Sequence, residues 1–264
     1  MEVTTTVLSR REHFARVGST NDVVRDWLAS GTPEVCLAVA NEQTAGRGRD
    51  GRTWLAPPGA ALLLSLGFRP TWLAPDLVWR LPAVVSLAMA DAAEAAIGAA
   101  AGTVRLKWPN DLMIDGRKVA GVLGESVGLG TDDPRVIVGI GINVNWPRDD
   151  FPADLADTMT SLLEAAGGRR IDLEGLLNRF IAAVDGATNG LRAGDFDAGD
   201  WKARQLTTDR VVELHGPAGA VDVVHAVDVD AQTGALVVRA AGRERSVFSG
   251  EIRHLRVAPP ERAV

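Results

Sequence analysis

The stretch Gln43–Trp54 reads QTAGRGRDGRTW, and the seven residues from Gly46 to Arg52 hold three glycines and three arginines. An apolar run stands on each side of it: Val35–Ala40 (VCLAVA) before and Ala61–Phe68 (ALLLSLGF) after. Runs of this length and composition are expected to be buried strands, so the cationic segment is a loop held between them. Glycine lets a backbone approach a ligand closely, and arginine supplies fixed, permanently charged forks for carboxylate and phosphate. Such a loop suits a site that gathers several anionic oxygens and excludes water on closing. A solvated surface loop, or an RGG-like nucleic-acid contact, is the other reading of the same residues. The spacing is neither that of a Walker loop nor that of a dinucleotide fingerprint.

The rest of the chain narrows the choice. Its 264 residues carry a formal net charge of −6, with 46% hydrophobic and 23% charged residues. That is the composition of a globular protein able to form one large domain plus a small one. An acidic chain is a poor general binder of nucleic acid or anionic membrane, so the basic loop must act locally. The four histidines, His13, His215, His225 and His254, are scattered, and no pair has metal-ligand spacing. Cys36 is the single cysteine, which excludes an internal disulfide and a thiolate metal cage. Inside an apolar run it is expected to be a buried structural thiol. Met1–Thr6 lacks the basic start and apolar core of a signal peptide. The Ala-rich segment Leu81–Ala101 is broken by Asp91 and Glu94, too polar for a bilayer span. A cytoplasmic protein is expected.

Ser19-Thr20-Asn21 are good helix caps, followed by Val23, Val24, Trp27 and Leu28 at helical spacing and Gly31 as a stop. A second helix is expected over about Trp79–Ala96 and a third over Asp172–Leu191. Val104–Trp108 and Val136–Val144 are expected strands. Between them, Leu112–Ile114 and Arg117–Leu123 flank Asp115-Gly116, a strong two-residue hairpin signal. With that turn Met113 faces Lys118 and Leu112 faces Val119, and alternation places Asp111, Met113, Lys118 and Ala120 on one face. After Trp201, short runs at Val211–Leu214, Val221–Val229, Ala235–Arg239 and Arg245–Val257 are punctuated by Gly216-Pro217, Gln232-Thr233-Gly234 and Gly242. They predict a small all-β unit of about five strands, of the small-barrel kind. The chain divides accordingly into residues 1–205 and 206–264.

Two further motifs carry polar groups. Lys107-Trp108-Pro109-Asn110-Asp111 ends a strand with an amide and a carboxylate at the mouth of a sheet, where a simple turn would also account for it. Gln43, at the end of a buried strand, lies where ligands tend to bind.

Taken together, these residues resemble the biotin protein ligases. The elements that match, in order, are Ser19-Thr20-Asn21 and Gln43–Trp54, then KWPNDL (Lys107–Leu112), Arg117-Lys118-Val119-Ala120-Gly121 and Gly139–Asn143. The matching region runs from about residue 15 to 145, and Gly250-Glu251-Ile252 near the end fits the family's small SH3-like domain. The resemblance implies an α+β fold: a mixed sheet with flanking helices, similar to class II aminoacyl-tRNA synthetases, plus a C-terminal SH3-like barrel. It implies activation of biotin by Mg-ATP to biotinoyl-5′-AMP and pyrophosphate, then transfer to a lysine of a biotin carboxyl carrier protein. Some members carry an N-terminal DNA-binding domain. Here the family region begins near Met1, so a form without that domain, and without DNA as a partner, is expected.

Residue roles follow from the same resemblance. Ser19, Thr20, Asn21 and Gln43 are the neutral groups expected near biotin, with Arg47, Gly48 and Arg49 in the loop that closes over biotin and the adenylate. Arg49, Arg52, Trp54 and Asn110 are expected on the ATP side, and Asn143 at the adenine. Lys118 is expected between the carboxylate and the α-phosphate, making Lys118, Arg47 and Asp111 the catalytic candidates. Asn110 and Asp111 would orient phosphate or Mg²⁺, with no defined metal-ligand set. Three other functions compete. A lipoate or octanoate ligase shares the fold but carries a different arginine-glycine motif. A non-catalytic biotinoyl-adenylate sensor would keep the pocket only. A nucleic-acid binder would use Arg47, Arg49 and Arg52.

Overall fold

The computed structural model of the protein describes residues 8–216 and 220–254. Met1–Thr6, Pro217 of the expected turn, and the end of the last expected run (Leu255–Val257) lie outside the described residues. A seven-stranded mixed sheet forms the body. Its strands are β1 (Arg10–Phe14), β2 (Cys36–Ala40), β3 (Ala61–Phe68), β4 (Arg105–Lys107), β5 (Asp111–Ile114), β6 (Arg117–Val127) and β7 (Arg135–Asn143). They lie in the order β1-β2-β3-β7-β6-β5-β4, with only β1 and β2 parallel.

The period-two alternation of β3 and β7 decides what covers each face. Leu62, Leu64, Leu66 and Phe68, with Val136, Val138, Ile140 and Ile142, enter the main core. There they meet α2 (Arg80–Ile97), the short α3 (Leu162–Ala165) and α4 (Leu173–Arg192). Burying each such side chain contributes about 1.5–3 kcal/mol. Four of the alternate residues are small: Ser65 and Gly67 on β3, with Gly139 and Gly141 on β7, leave that part of the other face shallow. Helix α1 (Thr20–Ala29) rests on part of that face through Val24, Trp27 and Leu28 against Cys36, Ala38 and Ile137. The remainder stays open as a cavity. The Cys36 thiol is buried, and desolvation pushes its pKa up to about 11, which fits a structural thiol.

The C-terminal strands are β8 (Arg210–His215), β9 (Val221–Val229), β10 (Leu236–Ala240), β11 (Arg243–Val247) and β12 (Glu251–His254). They form a five-stranded antiparallel sheet in the order β11-β10-β9-β8-β12. The expected barrel is therefore an open sheet among the described residues, with β11 and β12 as its two edges. The single run expected over Arg245–Val257 is broken at Gly250, where φ is 148°, into two strands on opposite edges. The inner face of this sheet, with Val212, Leu214, Val224, Val238 and Ile252, is continuous with the main core. The joint is reinforced by the short helix α5 (Ala198–Ala203), whose Trp201 packs on Trp79. Just beyond α5, buried Arg204 pairs with Glu94 at 2.9 Å and with Asp91 at 2.5 Å.

The hairpin departs from the expected register. Met113 does face Lys118, but a bulge follows, so Leu112 faces Ala120 and Asp111 faces Gly121. The extra residue bends β6, and Ala120 enters the core instead of sharing the Lys118 face.

Candidate active site

The cavity on the shallow face is walled by four chain segments far apart in sequence: the N-terminus of α1, the arginine loop, the β4–β6 hairpin region, and Gly250–Ile252 at β12. Of the expected residues, Ser19, Thr20, Asn21, Gln43, Arg47, Gly48, Arg49, Arg52, Trp54, Asn110, Asp111 and Lys118 all line it. Asn143 does not. It is buried, and its Nδ2 donates to the Thr160 carbonyl at 2.9 Å, so its amide tethers the loop after β7.

The polar floor comes from α1. Ser19 occupies the N-cap position but makes no side-chain cap hydrogen bond, so the capping role expected of this triplet is not what its side chains do. Thr20 and Asn21 are 2% and 3% exposed, and they turn inward to partners distant in sequence. Gln43 Oε1 accepts from Thr20 N at 2.6 Å. Asn21 Nδ2 donates to Glu125 on β6 at 2.8 Å. Gly139 makes this possible, because any Cβ there would collide with the Asn21 amide.

The arginine loop crosses over the cavity. Gly48 N donates to Arg52 O at 2.7 Å and Trp54 N to Gly46 O at 2.9 Å, closing a tight turn in which Asp50 and Gly51 take positive φ. Each guanidinium has an oxygen partner. Arg47 donates twice to Asp22, at 2.7 and 2.8 Å, and lies 3.6 Å from Glu125. Arg25 joins the same two carboxylates. The Arg47 hydrogen bond outweighs desolvation and holds the Asp22 carboxyl below the ordinary range. Arg49 reaches the Gly250 carbonyl at 3.5 Å, and Arg52 pairs with Glu251. The Trp54 indole lies against Gly141, where a Cβ would come within 2.5 Å of it, and its buried Nε1 has no partner among the described residues.

Opposite the loop, Lys118 Nζ lies 2.6 Å from Asp111 Oδ1 and 5.6 Å from the Trp54 ring centroid. The Lys118 backbone is clamped by Thr158 and Thr160. Neighbouring Lys107 is pushed below the usual lysine range by burial, with Asp111 opposing. Asn110 spends its amide donor on the Val122 carbonyl at 2.9 Å, so it fixes β6 as well as lining the cavity. The arrangement joins a neutral hydrogen-bonding floor to a rim of five basic residues, Arg47, Arg49, Arg52, Lys107 and Lys118. A neutral ring system carrying an acidic tail fits the first, and phosphate the second. Sequence reasoning missed Asp22, Arg25, Ser65 and Glu125, whose only signal is contact with residues remote in the chain.

The description "Biotin/lipoate A/B protein ligase family" matches residues 13–143. A biotin--[acetyl-CoA-carboxylase] ligase of Mycobacterium tuberculosis is 34% identical over 92% of this chain and 88% of its own length. The bifunctional ligase/repressor BirA of Bacillus spizizenii is 39% identical over 64% of this chain and 50% of its own. The chain thus spans about half the length of that relative. Among solved structures, the biotin protein ligase of Aquifex aeolicus in complex with biotin and ATP superposes with a TM-score of 0.78. It is 26% identical, over 93% of this chain and 99% of that one.

Proposed function

The chain belongs to the biotin/lipoate A/B protein ligase family, and on that premise we propose that it is a biotin protein ligase. In the first half-reaction a biotin carboxylate oxygen attacks the α-phosphorus of ATP, the bond to the β-phosphate oxygen breaks, and pyrophosphate leaves. In the second, the amine of a carrier lysine attacks the acyl carbon, the bond to the phosphate oxygen breaks, AMP leaves, and the nitrogen loses a proton. The observation that carries this reading is the convergence of five basic side chains, Arg47, Arg49, Arg52, Lys107 and Lys118, around a cavity whose floor is neutral and hydrogen-bonding.

Thr20, Asn21 and Gln43, with Ser19 beside them, would take the ureido ring, since neutral donors and acceptors suit an uncharged ring. Lys118 would sit between the carboxylate and the α-phosphate, where it lowers the cost of bringing two anions together. Arg47, Gly48 and Arg49 would cover the acyl adenylate and keep water from it, with Arg52 and Trp54 on the phosphate side. Among the described residues no three His, Cys, Asp or Glu cluster to hold a metal. Mg²⁺ would then be carried mainly by phosphate and water oxygens, with Asp111, whose carboxylate faces Lys118 in the cavity, as the candidate protein ligand. Bound there, it would neutralise phosphate charge. The five-stranded sheet is read as the SH3-like unit of the family, with the division falling near residues 205–206. The biotin carboxyl carrier domain of an acyl-CoA carboxylase is the expected partner, and the cytoplasm the expected compartment. No described helix is long and apolar enough to cross a membrane.

The test is biotin-dependent exchange of labelled pyrophosphate into ATP without carrier protein, with lipoate and octanoate as controls. Exchange that requires biotin is the expected result. Exchange with lipoate alone would keep the fold and overturn the substrate. Binding of biotin without exchange would leave a sensor.

A further inference from the structure

A chain of short polar contacts runs beneath the cavity floor. Gln43 Oε1 and Thr20 Oγ1 are 3.0 Å apart, Thr20 Oγ1 and Ser65 Oγ 2.7 Å, and Ser65 Oγ and Asn21 Oδ1 2.6 Å. Asn21 Nδ2 then donates to Glu125 Oε2, which also accepts from Arg25 at 2.7 Å. Neither Ser65 nor Glu125 lines the cavity.

Proton counting fixes the polarity of this chain. A carboxylate only accepts, so Glu125 requires the Asn21 amino group and turns the Asn21 carbonyl oxygen towards Ser65. Ser65 has one proton, and Asn21 Oδ1 takes it. Thr20 must then give its proton to Ser65. At the far end the Thr20 backbone N–H, 2.6 Å from Gln43 Oε1, prevents that amide from reversing. Three oxygen–oxygen contacts therefore share two hydroxyl protons, and the longest of them, between Thr20 Oγ1 and Gln43 Oε1, is left without one. Two acceptor oxygens of cavity-lining residues converge there.

We propose that Glu125 is a positioning residue for substrate selectivity: acting through Asn21 and Ser65, it keeps Thr20 Oγ1 and Gln43 Oε1 as a paired acceptor for a ligand N–H. This rests on the biotin reading above and explains how that site would prefer a cyclic urea over an acid whose head group lacks N–H. Glu125→Ala removes the acceptor that orients Asn21 and lets its amide turn: Oδ1 then faces the Arg25 guanidinium that Glu125 had shared, Nδ2 donates to Ser65, Ser65 donates to Thr20, and Thr20 donates to Gln43. Every contact then has its proton, and the paired acceptor is lost. Ser65→Ala reaches the same end differently, by freeing the Thr20 proton for Gln43.

The experiment measures biotin affinity by calorimetry, and the KM values for biotin and ATP in pyrophosphate exchange, for the wild type, Glu125→Ala, Ser65→Ala and Glu125→Gln. Both Glu125→Ala and Ser65→Ala should weaken biotin about tenfold, the size of one lost hydrogen bond. The KM for ATP should stay unchanged and the preference for biotin over octanoate should fall. Glu125→Gln, which keeps a carbonyl oxygen before Asn21 and Arg25, should recover most of the affinity. A general structural defect would raise both KM values together and would overturn the assignment, as would a Glu125→Ala protein within twofold of wild type for biotin. A wild type that neither binds nor exchanges with biotin would refute the functional reading itself, and this inference with it.

Discussion

Replacing Lys118 by alanine tests the electrostatic core of the site. Two anions about 4 Å apart repel by roughly 4 kcal/mol at an effective dielectric of about 20, and one well-placed ammonium cancels a repulsion of that order. Lys118 is 35% exposed, so solvent screening cuts its share to about half, roughly 2 kcal/mol, or ~30-fold in rate. Its removal also strips Asp111 of a partner at 2.6 Å and leaves that carboxylate facing the incoming anions, which should carry the total towards 10²-fold. In the pyrophosphate-exchange assay Lys118→Ala should therefore lose about 10²-fold, with a raised KM for biotin. Lys118→Arg, keeping the charge but not the compact ammonium, should recover part of it. Stability should barely move, because a partly exposed pair contributes under about 1 kcal/mol. If Lys118→Ala stays within threefold of wild type, charge at this position does not govern the chemistry. If its loss tracks a large fall in unfolding midpoint, the defect is structural and the electrostatic reasoning fails.

Three other perturbations probe the supports of the site. The Asp22 carboxyl is held below the ordinary aspartate range by Arg47, so its contribution to stability is present above pH ~4 and is lost as pH falls through the lower folded value. Urea unfolding should therefore separate wild type from Asp22→Asn at pH ~6, and the difference should shrink steadily as the pH is taken below ~4. Gly141→Ala places a Cβ within 2.5 Å of the Trp54 indole, which should displace the loop and cut exchange about tenfold; unchanged exchange would show that Trp54 can shift without consequence. Glu94→Ala leaves Arg204, 6% exposed, without its most buried carboxylate and orphans the Val104 N–H. It should cost about 3 kcal/mol by denaturant unfolding, and a cost under about 1 kcal/mol would mean that Asp91 and Asp200 suffice.

The elements that were legible in the sequence are those that declare themselves locally. β3 matches its apolar run residue for residue, Ala61–Phe68, because a strand buried on both faces needs no partner to be recognised. β1 escaped notice because RREHF carries charges on both faces and pairs as a parallel edge, which no turn signal announces. The six-residue helix α5 was invisible for a similar reason: its anchor, Trp201, is meaningful only against Trp79. The hairpin turn was legible in Asp115-Gly116, whereas the bulge that shifts Leu112 from Val119 to Ala120 leaves no mark in composition. In the site the pattern repeats. The arginine loop and the Lys118–Asp111 pair follow from short spacings. Thr20 and Asn21 look like caps until Ser65 and Glu125, 44 and 104 residues from Asn21, come into contact with them. Asn143 fails in the opposite direction, since motif position placed it in the site and the fold spends its amide on Thr160.

The loop's arginines are held unequally, and the difference says how the site can open. Arg47 sits in a four-membered charge network with Asp22, Arg25 and Glu125, on the rigid elements α1 and β6. Several charges in one network contribute more than an isolated surface pair does, and this network is anchored to buried Asn21. Arg52 instead meets Glu251 on an edge strand, with side-chain exposures of 57% and 32%, and such a pair is worth under about 1 kcal/mol. Among the described residues Arg49 has only a carbonyl at 3.5 Å. If the site takes ATP as proposed, a triphosphate would exchange one weak partner for stronger ones at Arg49 and Arg52, while Arg47 need not let go. The loop is therefore expected to yield first at its Arg49–Arg52 end, and amide hydrogen exchange checks this: exchange at Arg49–Arg52 should be faster than at Arg47 and should slow when ATP is added, and equal rates at the two ends would refute the reasoning.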